Sequence, residues 1–423
     1  MIVLLVFIVT LGLGMPIIFV LGLTSIIYIL IADLSMGILA TQFMSSVNNF
    51  VLLAIPFFML AGSIMNRGGL TARMVRFARL IAGNLRGGLG QVTVVASMIF
   101  AGISGSALAD VSAVGSIMIP AMEEEGFNKP FAAAITASSS TIGPIIPPSI
   151  DFVLYGMLSH VSVGSLFLAG FIPGVLLGLC QMIYIFFVAK KNGWKKVEAK
   201  NYNFKEILII TKDAFLALIM PLIIIGGILT GYFTPTEASV VAVFYALFVS
   251  IFIFRSFNLK EMPKILLDAA VLTGTILFLV GVGGSLSRIM AHVRLPTLAA
   301  QLFLSVFSHK IAILLVINML ILALGCIMDT FAIMVMSLPV LLPVAYSLGV
   351  DPVHFGVIFV LNGVTGMITP PFGLCLFATA SISKISLEKI INKIWPFIIV
   401  QVIVLLFITF IPQLSMWLPS VIR

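Results

Sequence analysis

Charge is what this chain has least of. Of its 423 residues, 23 are Lys or Arg and 15 are Asp or Glu, so 9% are charged against 61% hydrophobic. Soluble domains carry about 25% charged residues, and this composition excludes a soluble domain of any size. Cysteine is nearly absent too. Cys180, Cys326 and Cys375 each lie in an apolar run, which argues for small buried side chains and against a disulfide framework or a metal set. His160, His292, His309 and His354 are scattered near helix ends without metal-ligand spacing and are expected at interfaces. Trp194, Trp395 and Trp417 fall where aromatic belts sit. No charged side chain precedes Asp33, so the N-terminal stretch lacks the basic region of a signal peptide and reads as a first spanning helix. The net charge of +8 does not point to nucleic acid. In a membrane protein, excess Lys and Arg marks cytoplasmic loops.

What the chain does have is long apolar segments. Stretches of roughly spanning length, about 20 residues, cover 1–32, 46–66, 130–158, 164–190, 213–232, 235–255, 266–288, 353–379 and 394–419. Two more, 87–122 and 310–347, are long and interrupted by Gly, Ser and Asp, and we read them as re-entrant hairpins. Under that assignment 19 of the 23 basic residues share one face, leaving Arg288, Arg294, Lys310 and Arg423 on the other. The asymmetry puts the N-terminus and the Lys-rich loop 190–212 in the cytoplasm.

A broken-helix motif occurs twice, as "ASSSTIGPIIPPSI" from Ala137 and "LNGVTGMITPPFGL" from Leu361. At an offset of 223, Pro120, Gly126, Gly143, Pro147 and Pro148 fall on Pro343, Gly349, Gly366, Pro370 and Pro371, within seven identities over 31 positions. A Pro-Pro pair in a membrane segment removes helical N–H donors, and the freed carbonyls find no partner in lipid. Such breaks at matching places in two halves point to a transporter's binding site. The expected fold is an all-α polytopic membrane protein, an inverted repeat with two re-entrant hairpins and two broken helices. Residues 1–190 would form the first repeat, with scaffold helices, an Arg-rich arm, hairpin and broken helix. Residues 191–234 would be the Lys-rich loop and a connector helix, and 235–423 the second repeat.

The hairpin tips carry Ser104, Gly105, Ser106 and Asp110 in one half and Gly325, Asp329 and Thr330 in the other. Hydroxyls and unwound carbonyls are hard oxygen ligands suited to Na⁺, and helix N-termini suit a carboxylate. A carboxylate at the bilayer centre costs roughly 2.5–3.5 kcal/mol on insertion scales, so both Asp residues read as used, as caps, ion ligands or both. Aligning Asp329 with Asp110 needs a four-residue shift from the main offset. Glu237 after Pro235 reads as an ordinary first-turn acid. The pattern suggests two cation sites, one per half, with substrate between them.

The strings "SGSALAD", "GPIIPPS", "PTEASVVA", "DPVHFGV" and "ITPPFGL", in this order and spacing, resemble the large membrane subunit of tripartite ATP-independent periplasmic (TRAP) transporters over essentially the whole chain. The resemblance implies a secondary transporter of the bacterial inner membrane that imports organic acids of the C4-dicarboxylate or sialic acid type, coupled to Na⁺, by an elevator motion. It implies a periplasmic substrate-binding protein and a small four-helix membrane subunit, here expected as a separate chain. With the residue chemistry it singles out Ser104, Gly105, Ser106, Ser139, Gly143, Gly325, Asp329, Asn362 and Gly366 as candidate sodium ligands. Ser138, Ser140, Thr141, Pro147, Thr330, Thr369 and Pro370 are the candidate substrate contacts. Arg288, Arg294 and Lys310 are candidate contacts for the binding protein.

Two other readings stand beside this one. A related carrier could work alone, driven by Na⁺ or H⁺, with no binding protein. "GISG" at Gly102–Gly105 also matches an intramembrane serine protease, with Ser104 as nucleophile and His160 as its base.

Overall fold

The structure is a computed structural model describing residues 2–193, 203–307 and 309–422. Trp194 and the lysines between 194 and 202 lie outside the described residues. Among the described residues every regular element is helical, and seven helices are long and apolar enough to cross a membrane.

The first 32 residues do not form one spanning helix. They form α1 (Ile2–Gly12) and α2 (Ile17–Ile31), packed against each other. Gly14 takes φ +75° and Pro16 caps α2. A left-handed Gly ends a helix, and a Pro without an N–H starts a new one.

α3 (Gly37–Val47) precedes a tight turn at Phe50–Leu53 that runs into α4 (Ala54–Arg67). α5 (Leu70–Ala82) is the Arg-rich arm. Its Leu70, Met74, Ala78 and Ala82 recur every four residues and are buried, while Arg79 pairs with Glu125 at 2.6 Å and Arg73 lies over the Phe254 ring. α6 (Gly88–Ser104) and α7 (Ala107–Glu124) form the first hairpin, close to its expected limits. α8 (Lys129–Ser140), an irregular stretch 141–149 and α9 (Ile150–Ser159) form the first broken helix, and α10 (Val163–Lys191) runs back as a long span.

The connector, α11 (Phe204–Leu229), begins earlier than the apolar run that marked it. Glu206 accepts a hydrogen bond from the Asn203 N–H at 3.1 Å and fixes that start. α12 (Pro235–Phe248) carries a capping box in which Glu237 accepts from the Thr234 N–H at 2.8 Å, the ordinary role expected of that acid. α13 (Met262–His292) is the longest helix and α14 (Leu295–Val306) is the second arm. α15 (Lys310–Gly325) and α16 (Thr330–Ser347) form the second hairpin. α17 (Pro352–Gly366), a break at 367–373 and α18 (Leu374–Ser383) repeat the broken helix. α19 (Leu387–Phe410) and α20 (Gln413–Ile422) close the chain. Both Pro-Pro bonds, Pro147–Pro148 and Pro370–Pro371, are cis.

The repeat is visible in space, with one correction. The second hairpin's tip has four residues between its helices where the first has two, Gly105 and Ser106. Asp329, immediately before α16, therefore corresponds to Ser106, immediately before α7, and not to Asp110. The C-terminal pieces of the broken helices also cross over. α9 packs on α16, and α18 packs on α7 and α8. Each half thus lends the end of its broken helix to the other half's hairpin. α4 and α13 pack against each other, and both border the cavity described below.

The minor polar residues divide. All three thiols are free, with Cys375 buried and the other two partly so. Trp395 and Trp417 are half exposed, as belt residues are. His354 is not interfacial. It is buried, with Nδ1 2.7 Å from the Ser415 hydroxyl.

Candidate functional site

Each hairpin tip rests on the break of the broken helix in its own half, and glycine makes the approach possible. Gly105 takes φ +56°, which disfavours a side chain, and a Cβ there would lie 2.6 Å from the Pro148 carbonyl. A Cβ on Gly143 would lie 3.3 Å from the Ser106 carbonyl. In the second half a Cβ on Gly325 would lie 2.8 Å from Gly366 Cα and 2.9 Å from the Gly363 carbonyl. The Gly373 N–H donates to the Cys326 carbonyl at 3.1 Å, tying tip to break.

Hydrogen bonds deeper in the hairpins repeat the same plan. Ser97, seven residues before Ser104 on α6, contacts the Ser139 hydroxyl at 3.0 Å. Asn318, seven residues before Gly325 on α15, accepts from Asn362 Nδ2 at 2.9 Å through its carbonyl and 3.1 Å through its side chain. Ser139 and Asn362 are the residues paired at the offset of 223, so each broken helix is pinned to its hairpin at the same level.

Between the tips lies a cavity of about 390 Å³. Ser104, Ser106 and Ala107 enter it from the first hairpin, Ile150 and Asp151 from α9, and Asp329 and Thr330 from the second hairpin. Ser63 and Asn66 of α4 and Thr275 of α13 form the opposite wall. The N-termini of α7, α9 and α16 therefore converge on one space, and helix N-termini attract anions through their unpaired N–H groups and dipoles. Among the described residues no Lys or Arg lines the cavity, but two carboxylates do. Asp329 is the N-cap of α16, accepting from the Ala332 N–H at 2.7 Å. Asp151 is 4% exposed, its Oδ1 has no hydrogen-bond partner, and the two carboxylates are close enough to interact. Buried like charges repel unless a cation joins them. Asn362 Oδ1 is likewise buried without a partner. A buried carboxylate oxygen and a buried amide oxygen left without donors are each the kind of hard oxygen that suits an alkali cation.

The candidate residues separate into groups. Ser104, Ser106, Asp329 and Thr330 line the cavity. Gly105, Gly143, Gly325 and Gly366 form the tip-on-break contacts. Ser139 and Asn362 form the pins. Ser138 and Thr141 face away, toward Gln401 of α19. Its Nε2 donates to the Ser138 carbonyl and hydroxyl, both at 3.2 Å, and to the Thr141 hydroxyl at 2.8 Å. Gln181 of α10 reaches the same Ser138 carbonyl at 3.1 Å. The Ser140 hydroxyl donates to the Ala137 carbonyl, and that of Thr369 to the Thr365 carbonyl, each at 2.8 Å. Pro147 and Pro370 shape the breaks without lining the cavity. Of the two expected caps, Asp329 caps its helix. Asp110 does not, since the N-cap position of α7 is Ser106, which makes no side-chain cap bond.

Sequence reasoning missed Asp151, Gln181, Gln401, Asn318 and Ser97. The glutamines carried a signal, as single polar residues inside long apolar runs. Ser104 and His160 do not meet. Ser104 lines the cavity at the start of α9, whereas His160 follows the far end of α9 and lines a separate cavity with Gln42, Ser46 and Asn49. The protease reading loses its base.

Comparison with known proteins accords with this geometry. Residues 4–414 match the model of a family described as the tripartite ATP-independent periplasmic transporter, DctM component. The chain is 38% identical over 411 residues to a sialic acid TRAP transporter large permease protein of Vibrio cholerae, covering 96% of this chain and 95% of that one. It is 37% identical over 431 residues to a C4-dicarboxylate TRAP transporter large permease protein of the same species, covering 97% and 95%. Among solved structures, the YdaH transporter of Alcanivorax borkumensis shares the fold at a TM-score of 0.64 and 14% identity, covering 90% of this chain and 87% of that one. The chain is a member of the DctM component family of tripartite ATP-independent periplasmic transporters.

Proposed function

We propose that this protein imports an organic acid across the bacterial inner membrane, coupled to Na⁺, with a periplasmic binding protein delivering the substrate. A small four-helix membrane subunit would complete the complex. The observation that carries this reading is the single cavity where two hairpin tips, two carboxylates and three helix N-termini meet. The cavity has sites for an anion's oxygens but no basic side chain to neutralise it, so co-transported cations supply the missing charge. Asp151, Asp329, Asn362 and the Gly325–Gly366 carbonyls would hold sodium in the second half, with Ser104, Ser106, Ser139 and Gly143 in the first. Thr330, Ser106 and the N-terminus of α9 would receive the substrate.

In this reading the two halves are inverted repeats, 1–190 and 235–423, joined by the connector, with the N-terminus in the cytoplasm. The hairpins and broken helices move together as an elevator against α4 and α13. The relatives named for sialic acid and C4-dicarboxylates support an organic acid as cargo.

The test is uptake into proteoliposomes containing this chain and its small subunit, with labelled organic acid on the cognate binding protein and an inward Na⁺ gradient. The reading requires uptake that depends on both Na⁺ and binding protein. Uptake without the binding protein would keep the carrier and reject the tripartite assignment. Uptake driven equally by choline and by Na⁺ would reject sodium coupling.

A further inference from the structure

On the Lys-rich face of the molecule three helices leave a cleft between them. The start of α8, the end of α10 and the start of α19 enclose about 280 Å³. Asn128, Asn192, Asn392 and Lys393 line it at the helix ends, and Tyr184, Val188 and Pro396 line it deeper along the helices. Among the described residues none of those four polar side chains has a hydrogen-bond or ion-pair partner. Three amides and an ammonium, from the ends of three helices, thus face one space with hydrogens to give.

The charge around the cleft is positive. Lys191 lies one turn beyond Val188, and Lys389 one turn before Lys393, on the same helix faces as those lining residues. Both are exposed, as is Lys190, and none of the three has an acidic partner among the described residues. Lys129 is committed to Glu123 at 2.9 Å, and Glu125 to Arg79. Glu124, four residues before Asn128, and Glu388, beside Lys389, are the acids left on these segments, against four lysines. The positive ends of α8 and α19 point to this face and the negative end of α10 opposes them.

Below this polar head the surface turns apolar in two rows. Leu179, Ile183 and Phe187 recur every fourth residue on α10 and are exposed, and the next place in the row is Lys191. Trp395, Ile399, Ile403 and Phe407 do the same on α19, starting one turn from Asn392. The rows border the cleft, since Ile183, Phe187 and Trp395 adjoin its lining residues Tyr184, Val188 and Pro396 in sequence. The two helices pack there, with the Tyr184 and Phe397 rings edge to face at 4.8 Å. At 1.5 Å per residue the α19 row runs about 18 Å, close to one leaflet of a hydrocarbon core about 30 Å thick. A soluble anion would use the donors alone, whereas a lipid uses donors and rows together.

We propose that this cleft binds an anionic phospholipid from the leaflet on the Lys-rich face, with its phosphate at Lys393 and the three asparagines and its acyl chains along the α10 and α19 rows. Basic pockets between membrane helices recognise such head groups. The same three helices meet again deeper in the membrane, where Gln181 of α10 and Gln401 of α19 both donate to the Ser138 carbonyl of α8. A lipid in the cleft clamps them at the surface end of that knot and stabilises the first broken helix.

The test is native mass spectrometry of the purified, delipidated protein titrated with dioleoylphosphatidylglycerol or dioleoylphosphatidylcholine, with thermal unfolding measured alongside. Wild type should hold phosphatidylglycerol about tenfold more tightly, and only that lipid should raise the unfolding temperature. Lys393→Gln should weaken phosphatidylglycerol binding about fivefold, the worth of one lysine at a membrane surface, and Asn392→Ala should weaken it as well. Lys264→Gln, which removes an exposed lysine of α13 on the same face, should bind as wild type. Equal binding of the two lipids, or unchanged binding in Lys393→Gln, would overturn the proposal. Equal losses in Lys393→Gln and Lys264→Gln would overturn it too, leaving only attraction to surface charge. Displacement of phosphatidylglycerol by inorganic phosphate would reject the lipid and make the cleft a site for soluble anions. No readout involves transport, so failure here is distinguishable from failure of the proposed function.

Discussion

Replacing Gly325 by alanine should damage ion coupling more than it damages folding. The new Cβ would sit 2.8 Å from Gly366 Cα and 2.9 Å from the Gly363 carbonyl, both backbone atoms that no rotamer change can move. Carbon atoms rest at about 3.5–4.0 Å, so the second hairpin's tip must withdraw by roughly 1 Å. Overpacking of this kind costs about 1–3 kcal/mol. Borne by the tip-closed state alone, that is about a 5–150-fold loss in the closed population and the same factor in apparent Na⁺ affinity. Gly226→Ala is the control, since a Cβ there meets nothing within 4 Å. The assay is the Na⁺ dependence of uptake in proteoliposomes, with thermal unfolding measured in detergent. Wild-type Na⁺ dependence in Gly325→Ala, with the variant folded, would refute the coupling of tip contact to ion binding.

The remaining expectations concern polar groups. Asp329→Asn keeps the N-cap, because Asn caps as well as Asp, and removes the charge, whereas Asp329→Ala removes both at about 1 kcal/mol. Uptake should be lost in both, with unfolding temperature lowered only in the alanine variant, and active Asp329→Asn protein would show that the charge is unnecessary. Asp151→Asn should raise the Na⁺ concentration for half-maximal uptake tenfold or more, about 1.4 kcal/mol or more, and an unchanged value would remove Asp151 from the ion site. Gln181→Leu and Gln401→Leu should each destabilise by about 1 kcal/mol. Because both donate to the Ser138 carbonyl, their effects in denaturant titrations should be non-additive by about 0.5–3 kcal/mol, and strict additivity would contradict the shared acceptor.

The hairpins and breaks were legible because glycine and proline act locally. Gly105 with its neighbouring serines and the Pro-Pro pairs bar a continuous helix wherever the chain goes, so residue identity alone located both tips and both breaks. The cavity's second carboxylate was not legible for the opposite reason. Asp151 follows Ser149 and opens α9 as first-turn acids commonly do, and only the crossing of α9 onto α16 brings it near Asp329, far away in sequence. The pairing of Asp329 with Asp110 put shared residue type ahead of register, since the offset of 223 already sets Asp329 on Ser106, the residue that likewise precedes its hairpin's second helix. The N-terminal stretch was misread by weighting its apolar length over Gly14 and Pro16, two residues that break a helix as surely as the later motifs do.

The exchange of helix ends between halves reaches into how such a molecule could arise and be taken apart. α7 has its cover from α18, α16 has its cover from α9, and Ser138 is held by a glutamine from α19. Neither half can fold to completion as a monomer, since each leaves bare the hairpin that the other must cover. A single half could cover its hairpin only against a second copy, with helix ends exchanged between the two. Cutting the present chain in the connector should likewise yield fragments that are insoluble apart and active when co-expressed.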